Sequence, residues 1–263
     1  MQRNGQLAIV TGGSSGMGLE YARQLAGKGF DLLLVSNQED RLAEAASEIS
    51  EKFGSNVRTL CRDLAEVDAA DALFAFCKES GTMPEILINN AGIFFFKELG
   101  AADEDRMDKI LRLHILTPTR LCLLFGEEMK KQGHGYILNV SSLGAEMQVP
   151  GITAYSATKA YLKNFSKSLY YECRPYGVGV SVVCPGAVAT SLYGLNASLM
   201  KLGTGIGVIK SPEKIVRRAL RGMFRKRRMI RPGLMNYYLP VIVALTPKRV
   251  VEKVWDKMKD MEI

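Results

Sequence analysis

The chain has 263 residues, 47% of them hydrophobic, five cysteines, two histidines and a formal charge of +8. That is enough apolar sequence for one large core in one or two domains. Cys61, Cys77, Cys122, Cys173 and Cys184 are scattered, odd in number and free of any Cys-x-x-Cys, which fits reduced cytoplasmic thiols better than a disulfide framework or a metal site. With His114 and His134 alone, a His-rich metal centre is disfavoured as well. The N-terminus runs almost directly into Leu7-Ala8-Ile9-Val10 and shows neither the basic start nor the apolar stretch of a signal peptide.

Short apolar runs alternate with longer amphipathic stretches. Leu7–Thr11, Asp31–Val35, Asn56–Cys61, Glu85–Asn89, Tyr136–Val140 and Val178–Cys184 predict strands, and the segments between them have helical length and spacing. Met229–Arg231, stopped by Pro232-Gly233, predicts a short edge strand. This alternation implies an α/β fold: a doubly wound parallel sheet of about seven strands with helices on both faces. No repeat or low-complexity linker interrupts it, so residues 1–232 are expected to form one domain and 233–263 a helical extension packed on it.

The first strand leads into Thr11-Gly12-Gly13-Ser14-Ser15-Gly16-Met17-Gly18 and then a helix. Glycines permit a tight turn and let backbone N–H groups approach a pyrophosphate at a helix N-terminus. The spacing, Gly-x-x-x-Gly-x-Gly, differs from the common Gly-x-Gly-x-x-Gly dinucleotide fingerprint. The end of the second strand should meet an adenosine ribose, where a carboxylate favours NAD and an arginine favours NADP. Here Val35 is followed by Ser36-Asn37-Gln38, with Arg41 one turn into the next helix. The missing carboxylate favours NADP(H), while NAD(H) stays open. Arg41 reads equally well as a solvated helix residue.

Tyr155 and Lys159 stand four apart at the start of a helix, on one face, after a strand that ends in Ser141-Ser142. A free tyrosine titrates near pH ~10, far above a useful acid or base. A positive charge ~4 Å away at an effective dielectric of ~20 is worth roughly 4 kcal/mol. That amounts to about three pKa units, enough to bring a tyrosine near neutrality.

At this point the chain resembles the short-chain dehydrogenase/reductase family over roughly residues 5 to 230. The features that carry the likeness are the Thr11–Gly18 turn, Asp63 after the third strand, Asn89-Asn90-Ala91-Gly92, Ser142, Tyr155, Lys159 and Pro185-Gly186. The resemblance implies a single Rossmann domain, with Gly12, Ser14, Ser15, Gly16, Met17 and Gly18 at the pyrophosphate and Asn37 and Arg41 near the ribose. It places Asp63 and Leu64 against adenine, and has Asn90, Ala91 and Gly92 stabilise the central sheet and face the adenosine. Pro185, Gly186, Val188 and Thr190 would border the nicotinamide. Ser142 would hold a carbonyl while Tyr155 exchanges its proton, with Lys159 on the nicotinamide ribose. The family usually has an asparagine where this chain has His114, and uses the backbone carbonyl there to hold a relay water. Pro118, four residues on, offers no N–H to that carbonyl, so a free carbonyl is expected; the imidazole reads as packed and neutral, with a second proton shuttle as the alternative.

Segment Ser191 to Lys210 carries Gly194, Gly203, Gly205 and Gly207 among apolar residues and reads as a lid. Met147, Val149, Tyr193, Leu195 and Leu199 are candidates for an apolar pocket wall. They favour a hydrophobic ketone or secondary alcohol (fatty-acyl, sphingoid, steroid or bile-acid-like) as substrate. Leu234 to Leu245 is strongly apolar but shorter than the ~20 residues of a membrane span; packing against the sheet is the first expectation, contact with a membrane surface the alternative. Eight cations fall within residues 217–231 with no acid among them. They read as a solvated helix face, or as a contact for an acyl carrier or a membrane surface; no base-reading module accompanies them, so nucleic acid is not expected. By family analogy the helices around Asp103–Lys131 and Thr153–Pro175 would pair subunits into a homodimer or homotetramer. The reading is thus a cytoplasmic NAD(P)(H)-dependent carbonyl reductase, peripheral membrane contact left open, with a catalytically weak cofactor-binding regulator or scaffold as the rival.

Overall fold

The computed structural model of the chain describes residues 5–189, 210–233 and 235–258. Seven strands, β1 (Leu7–Thr11), β2 (Asp31–Ser36), β3 (Val57–Cys61), β4 (Ile86–Asn89), β5 (Gly135–Val140), β6 (Val178–Val183) and β7 (Met229–Ile230), form one sheet in the order β3-β2-β1-β4-β5-β6-β7. Every pairing is parallel. All strand C-termini therefore share one edge, and the order reverses between β1 and β4. Crevices that take ligands in open α/β sheets lie at such a reversal.

The strands alternate by face, as the two-residue period of a pleated strand requires. Ala8, Val10, Leu32, Leu34, Ile86, Ile88, Leu138 and Val140 enter one core layer, packed beneath α1 (Gly16–Ala26), α2 (Glu39–Phe53) and α7 (Pro212–Phe224). Leu7, Ile9, Leu33, Val35, Leu87, Ile137 and Val180 enter the other, under α3 (Ala69–Glu79), α5 (Thr117–Gln132) and α6 (Thr153–Cys173). Phe125 of α5 is fully buried in that layer and meets Phe74 edge-on, ring centres 5.3 Å apart.

Helix α4 (Glu104–Leu111) does not run straight into α5. Arg112–Leu116 between them is a π-helical turn, in which the Thr117 N–H reaches the Arg112 carbonyl. Pro118 explains it: its ring would strike the carbonyl four residues back, at His114, and it has no N–H to offer there. Widening the turn relieves the clash, and π-bulges of this kind gather at functional sites.

Two expectations need refining. The cationic run 217–231 is not one patch. Lys226 donates to the Gly177 carbonyl and Arg228 meets Tyr171, both at the N-terminal edge of the sheet. Arg231 instead crosses to the C-terminal edge of the sheet and clasps Glu146 with two 2.7 Å hydrogen bonds. The apolar segment after residue 234 forms α8 (Met235–Leu245), followed by α9 (Lys248–Met258), but much of α8 is not packed away: Tyr237, Tyr238, Val241, Ile242 and Leu245 are exposed. Among the described residues no helix is long and apolar enough to cross a membrane.

Replacing Phe125 by alanine removes a fully buried ring from a layer that cannot close around the gap. We expect a loss of about 3–5 kcal/mol in urea unfolding, with unchanged ligand affinity in whatever fraction remains folded.

Candidate active site

The crevice at the C-terminal edge has a volume of about 350 Å³, of the size that holds a small-molecule ligand. One wall is the turn after β1. A Cβ on Gly18 would sit 1.8 Å from the Gly12 carbonyl oxygen, and Gly12 itself has φ +66°; the first turn of α1 thus lies flush against the strand-exit loop. Ser15 caps α1 without a side-chain hydrogen bond, and no acid stands in the first turn. The positive end of the helix dipole and its amides face the crevice, as an anion requires.

Thr11 ties the two central strands together. Its hydroxyl donates to the Ile88 carbonyl and accepts the Asn90 and Ala91 amides at 2.9 and 3.0 Å, while the Asn90 side chain donates to the Thr11 carbonyl. At the β2 end, the Ser14 and Ser36 hydroxyls lie 2.9 Å apart. Arg41 and Arg62 also line the crevice there, Arg62 paired with Glu66 and Asp68. Asp63 is bound by the Ala65 amide (3.0 Å) and Lys109 (3.1 Å). Partial burial works to raise its pKa, but that amide, Lys109 and Asn37 outweigh it and hold the carboxyl below its ordinary value.

The other wall carries Ser142, Tyr155 and Lys159. Ser142 lies two residues beyond the end of β5, and its Oγ accepts the Gly144 amide at 3.1 Å, which orients the hydroxyl. Tyr155 and Lys159, on successive turns of α6, are both buried. The Tyr155 ring is held edge-on by Phe94 (5.1 Å) and His114 (5.8 Å). Lys159 Nζ donates to the Val140 carbonyl at 3.0 Å, and its own carbonyl accepts the Ser141 hydroxyl at 2.7 Å. Burial lowers the Lys159 pKa from 10.5 to about 8, within reach of proton exchange at neutral pH.

His114 lies behind this wall rather than in it. The Ile93 amide donates to its Nε2 at 3.0 Å, and Nδ1 lies 3.0 Å from the Thr158 hydroxyl, which itself donates to the Tyr155 carbonyl. With Nε2 accepting and the hydroxyl proton committed, the ring is the neutral tautomer with its proton on Nδ1. Burial, and then the Lys159 charge, push its pKa well below 6.5. A Cβ on Gly92 would lie 2.9 Å from Nε2 and 3.6 Å from Lys159 Nζ, so glycine is what allows both to approach the loop. Below them a cavity of about 10 Å³ is lined by His114, Pro118, Lys159 and Asn89, room for about one water. The buried Asn89 Oδ1, which has no hydrogen-bond partner, belongs to that lining.

Of the sequence candidates, Gly12, Ser14, Ser15, Gly16, Met17, Asn37, Arg41, Asp63, Leu64, Asn90, Ala91, Gly92, Ser142, Tyr155, Lys159 and Pro185 line one crevice. Gly18 and His114 support it from behind. Gly186 packs against Asn236 of α8, and Val188 bridges to Lys210, so neither is in the lining. Met147 and Val149 are half-buried outside it. Thr190, Tyr193, Leu195, Leu199 and the expected lid, apart from Lys210, lie outside the described residues. Sequence reasoning missed Arg62, Lys109 and Phe94. The run Phe94-Phe95-Phe96 just after Gly92 was a usable signal, since three adjacent aromatics in a loop call for a partner; the other two are ordinary surface cations until the fold brings them in.

The sequence model of the short chain dehydrogenase family matches residues 6–198. The very-long-chain 3-oxoacyl-CoA reductase of Rattus norvegicus is 33% identical over 219 residues, covering 81% of this chain and 69% of that protein. Among solved structures, a short-chain dehydrogenase from Sphingobium yanoikuyae in complex with NADPH superimposes with TM-score 0.78 at 26% identity, over 97% of this chain and 96% of the other. The bulky-bulky ketone specific alcohol dehydrogenase from Comamonas testosteroni gives 0.73 at 25%, over 92% and 95%.

A buried cation with a lowered pKa costs stability. Between pH 8 and 10.5 the unfolded chain keeps a proton that folded Lys159 has lost, so stability rises with pH across that window and the full cost applies below it. The shift is worth ~3 kcal/mol, against ~1 kcal/mol for the bond to Val140. Lys159→Met should therefore stabilise the ligand-free protein by about 2 kcal/mol at pH 7, with the gain fading by pH 10.5. Denaturation of both proteins at two pH values checks this.

Proposed function

The chain belongs to the short-chain dehydrogenase family, and within it we propose an NADP(H)-dependent reductase of hydrophobic ketones, with a 3-oxoacyl chain as the leading substrate class. The observation that carries the reading is the convergence of Ser142, Tyr155 and Lys159 on a crevice whose other end is a helix N-terminus free of any side-chain capping bond. The named activity of the rat relative supports the acyl ketone, and the ketone specificity in the name of the Comamonas enzyme supports a bulky carbonyl.

The residues present fit a nicotinamide dinucleotide. Backbone amides from Ser14 to Met17 would take the pyrophosphate, and Asp63 with Leu64 would border the adenine. At the ribose, Arg41 and Arg62 with the hydroxyls of Ser14 and Ser36 suit a 2′-phosphate; β2 ends without a carboxylate that would repel it. The bound nicotinamide supplies the hydride. Everything else falls to the protein: Ser142 Oγ donates to the carbonyl oxygen and fixes its position, and Tyr155 Oη delivers the proton as the alkoxide forms. Lys159 Nζ stabilises the phenolate that results, and with a pKa of about 8 it returns a proton to Tyr155 and regains one from the side of the one-water cavity beneath it.

His114 acts in this scheme as a positioning residue. It takes the Ile93 amide and holds Thr158, so the loop carrying Gly92 and the helix carrying Tyr155 keep a fixed separation. Both ring nitrogens are committed, and the adjacent ammonium disfavours a second charge, which argues against a shuttle. The cavity behind Lys159, with room for about one water, supports the enzyme over the catalytically weak regulator, although His114 stands where the family usually has asparagine. We also propose a homodimer through α5 and α6, where Leu123 and Tyr161 are exposed beside Leu116 and Val67 and line one apolar depression.

Oxidation of NADPH and NADH, followed in parallel over a panel of 3-oxoacyl thioesters, bulky ketones and small polar sugars, tests the assignment. We expect turnover with NADPH and lipophilic ketones; tight NADPH binding with no turnover on any carbonyl would favour the regulator. Tyr155→Phe should lower kcat by about 10²–10⁴-fold and leave NADPH affinity unchanged. Arg41→Ala with Arg62→Ala should weaken NADPH by roughly tenfold or more and NADH hardly at all. His114→Ala should lower kcat with little change in KM, His114→Asn should recover part of the loss, and neither should alter the pH profile. Disappearance of a neutral-pH limb in both variants would make the imidazole a shuttle after all.

A further inference from the structure

Helix α8 contains no charged residue, and among its described side chains the exposed ones fall on one face. Tyr237, Tyr238, Val241, Ile242 and Leu245 are between 52% and 78% exposed. Their spacing of one, four, five and eight residues from Tyr237 places them within one continuous stripe. Scattered exposed hydrophobics are normal on any protein, but a contiguous apolar face marks a contact.

The opposite side of α8 is fastened to the catalytic edge. Buried Asn236 donates to the Pro232 carbonyl at 2.9 Å and the Cys184 carbonyl at 3.5 Å, and its Oδ1 would touch a Cβ on Gly186. The Arg231 guanidinium, held by Glu146, lies 5.3 Å over the Tyr237 ring. Helix α9 is likewise pinned through Trp255, whose ring stands 6.1 Å from Phe96. The apolar stripe is therefore a fixed part of the rim beside the cleft.

Charge identifies what would cover it. The stripe ends at Leu245, and the next turn brings exposed Lys248 and Arg249. On α9, exposed Val250 and Val254 share a face with Lys253 and Lys257. Tyrosines and aliphatic side chains flanked by flexible cations are the composition of an interfacial membrane helix. Eleven residues rise only about 16 Å, too short to span a bilayer core of about 30 Å. A second copy suits the face less well, because a two-fold contact repeats each patch on both partners and would bring cationic strips together.

We propose that the α8 stripe and the α9 cations dock this protein on an anionic lipid surface. The docked orientation turns the Gly186 side of the catalytic edge toward the bilayer, so a lipophilic carbonyl reaches the site without crossing water; this last step rests on the ketone reductase reading above, whereas the docking itself does not.

The test is co-sedimentation of the full chain with vesicles of phosphatidylcholine alone and of phosphatidylcholine mixed with phosphatidylserine, at low and high salt. We expect binding to the mixed vesicles that falls as salt rises. Ile242→Asp with Leu245→Asp should reduce it about tenfold or more, and Lys248→Glu or Arg249→Glu about fivefold each on the anionic vesicles. These variants should melt like the wild type and reduce a short water-soluble ketone at its rate. Wild-type protein that stays in the supernatant with both vesicles overturns the proposal, whatever the variants do. So does binding indifferent to lipid charge and salt, and so does light scattering that shows the aspartate pair splitting a dimer that ignores lipid. Vesicle binding without ketone reduction would retain the docking surface and reject the enzymatic reading alone.

Discussion

The ammonium of Lys159 is a charge buried inside the fold, and the C-terminal edge of the sheet is arranged around the cost of keeping it there. An isolated ammonium in a protein interior is heavily penalised unless it finds acceptors or gives up its proton. This one finds the Val140 carbonyl at the end of β5 and has its pKa lowered to about 8. That acceptor is a neutral carbonyl and not a carboxylate, which keeps the lysine poised between its two protonation states. A paired lysine would be more stable and less able to exchange a proton near neutrality.

Several features that look separate follow from that charge. Gly92 leaves room for Nζ and for the His114 ring together. The imidazole stays neutral because a second positive charge at this depth would add repulsion to desolvation. Its two nitrogens instead tie the β4 exit loop to α6, so the loop bordering the crevice and the helix carrying Tyr155 move as one piece. Pro118 forces the π turn that sets His114 at this depth. The parallel sheet does the rest: strands running the same way deliver the β1 turn, the β4 loop and Ser142 to one edge.

Much of this was legible in the sequence because it is local. The strand limits follow from apolar runs of the right length, and the Thr11–Gly18 turn and the Tyr155–Lys159 pair are recognisable from spacing within a single turn or helix. The tautomer of His114 was not legible, since it depends on Ile93 and Thr158, 21 and 44 residues away. Nor were Phe94 against Tyr155, or Lys109 against Asp63, both contacts that exist only after the chain folds back. The cationic run 217–231 was legible in part: Arg217, Arg218 and Arg221 lie exposed on α7, as a solvated helix face requires. Adjacent in sequence, its members are separated when β7 carries Arg231 from one edge of the sheet to the other. The apolar segment of α8 read as packed because hydrophobicity alone does not say which face is covered.

The neutral, braced His114 beside a buried ammonium is the claim on which this account turns, and the chain's two histidines make it directly measurable. Nitrogen NMR of ¹⁵N-histidine-labelled protein, titrated from about pH 5 to 9, separates the resonances of His114 from those of exposed His134. The His114 ring is expected to keep the pattern of the neutral form protonated at Nδ1 across the whole range. A proton on Nε2, or a titration of that ring within the range, would contradict it.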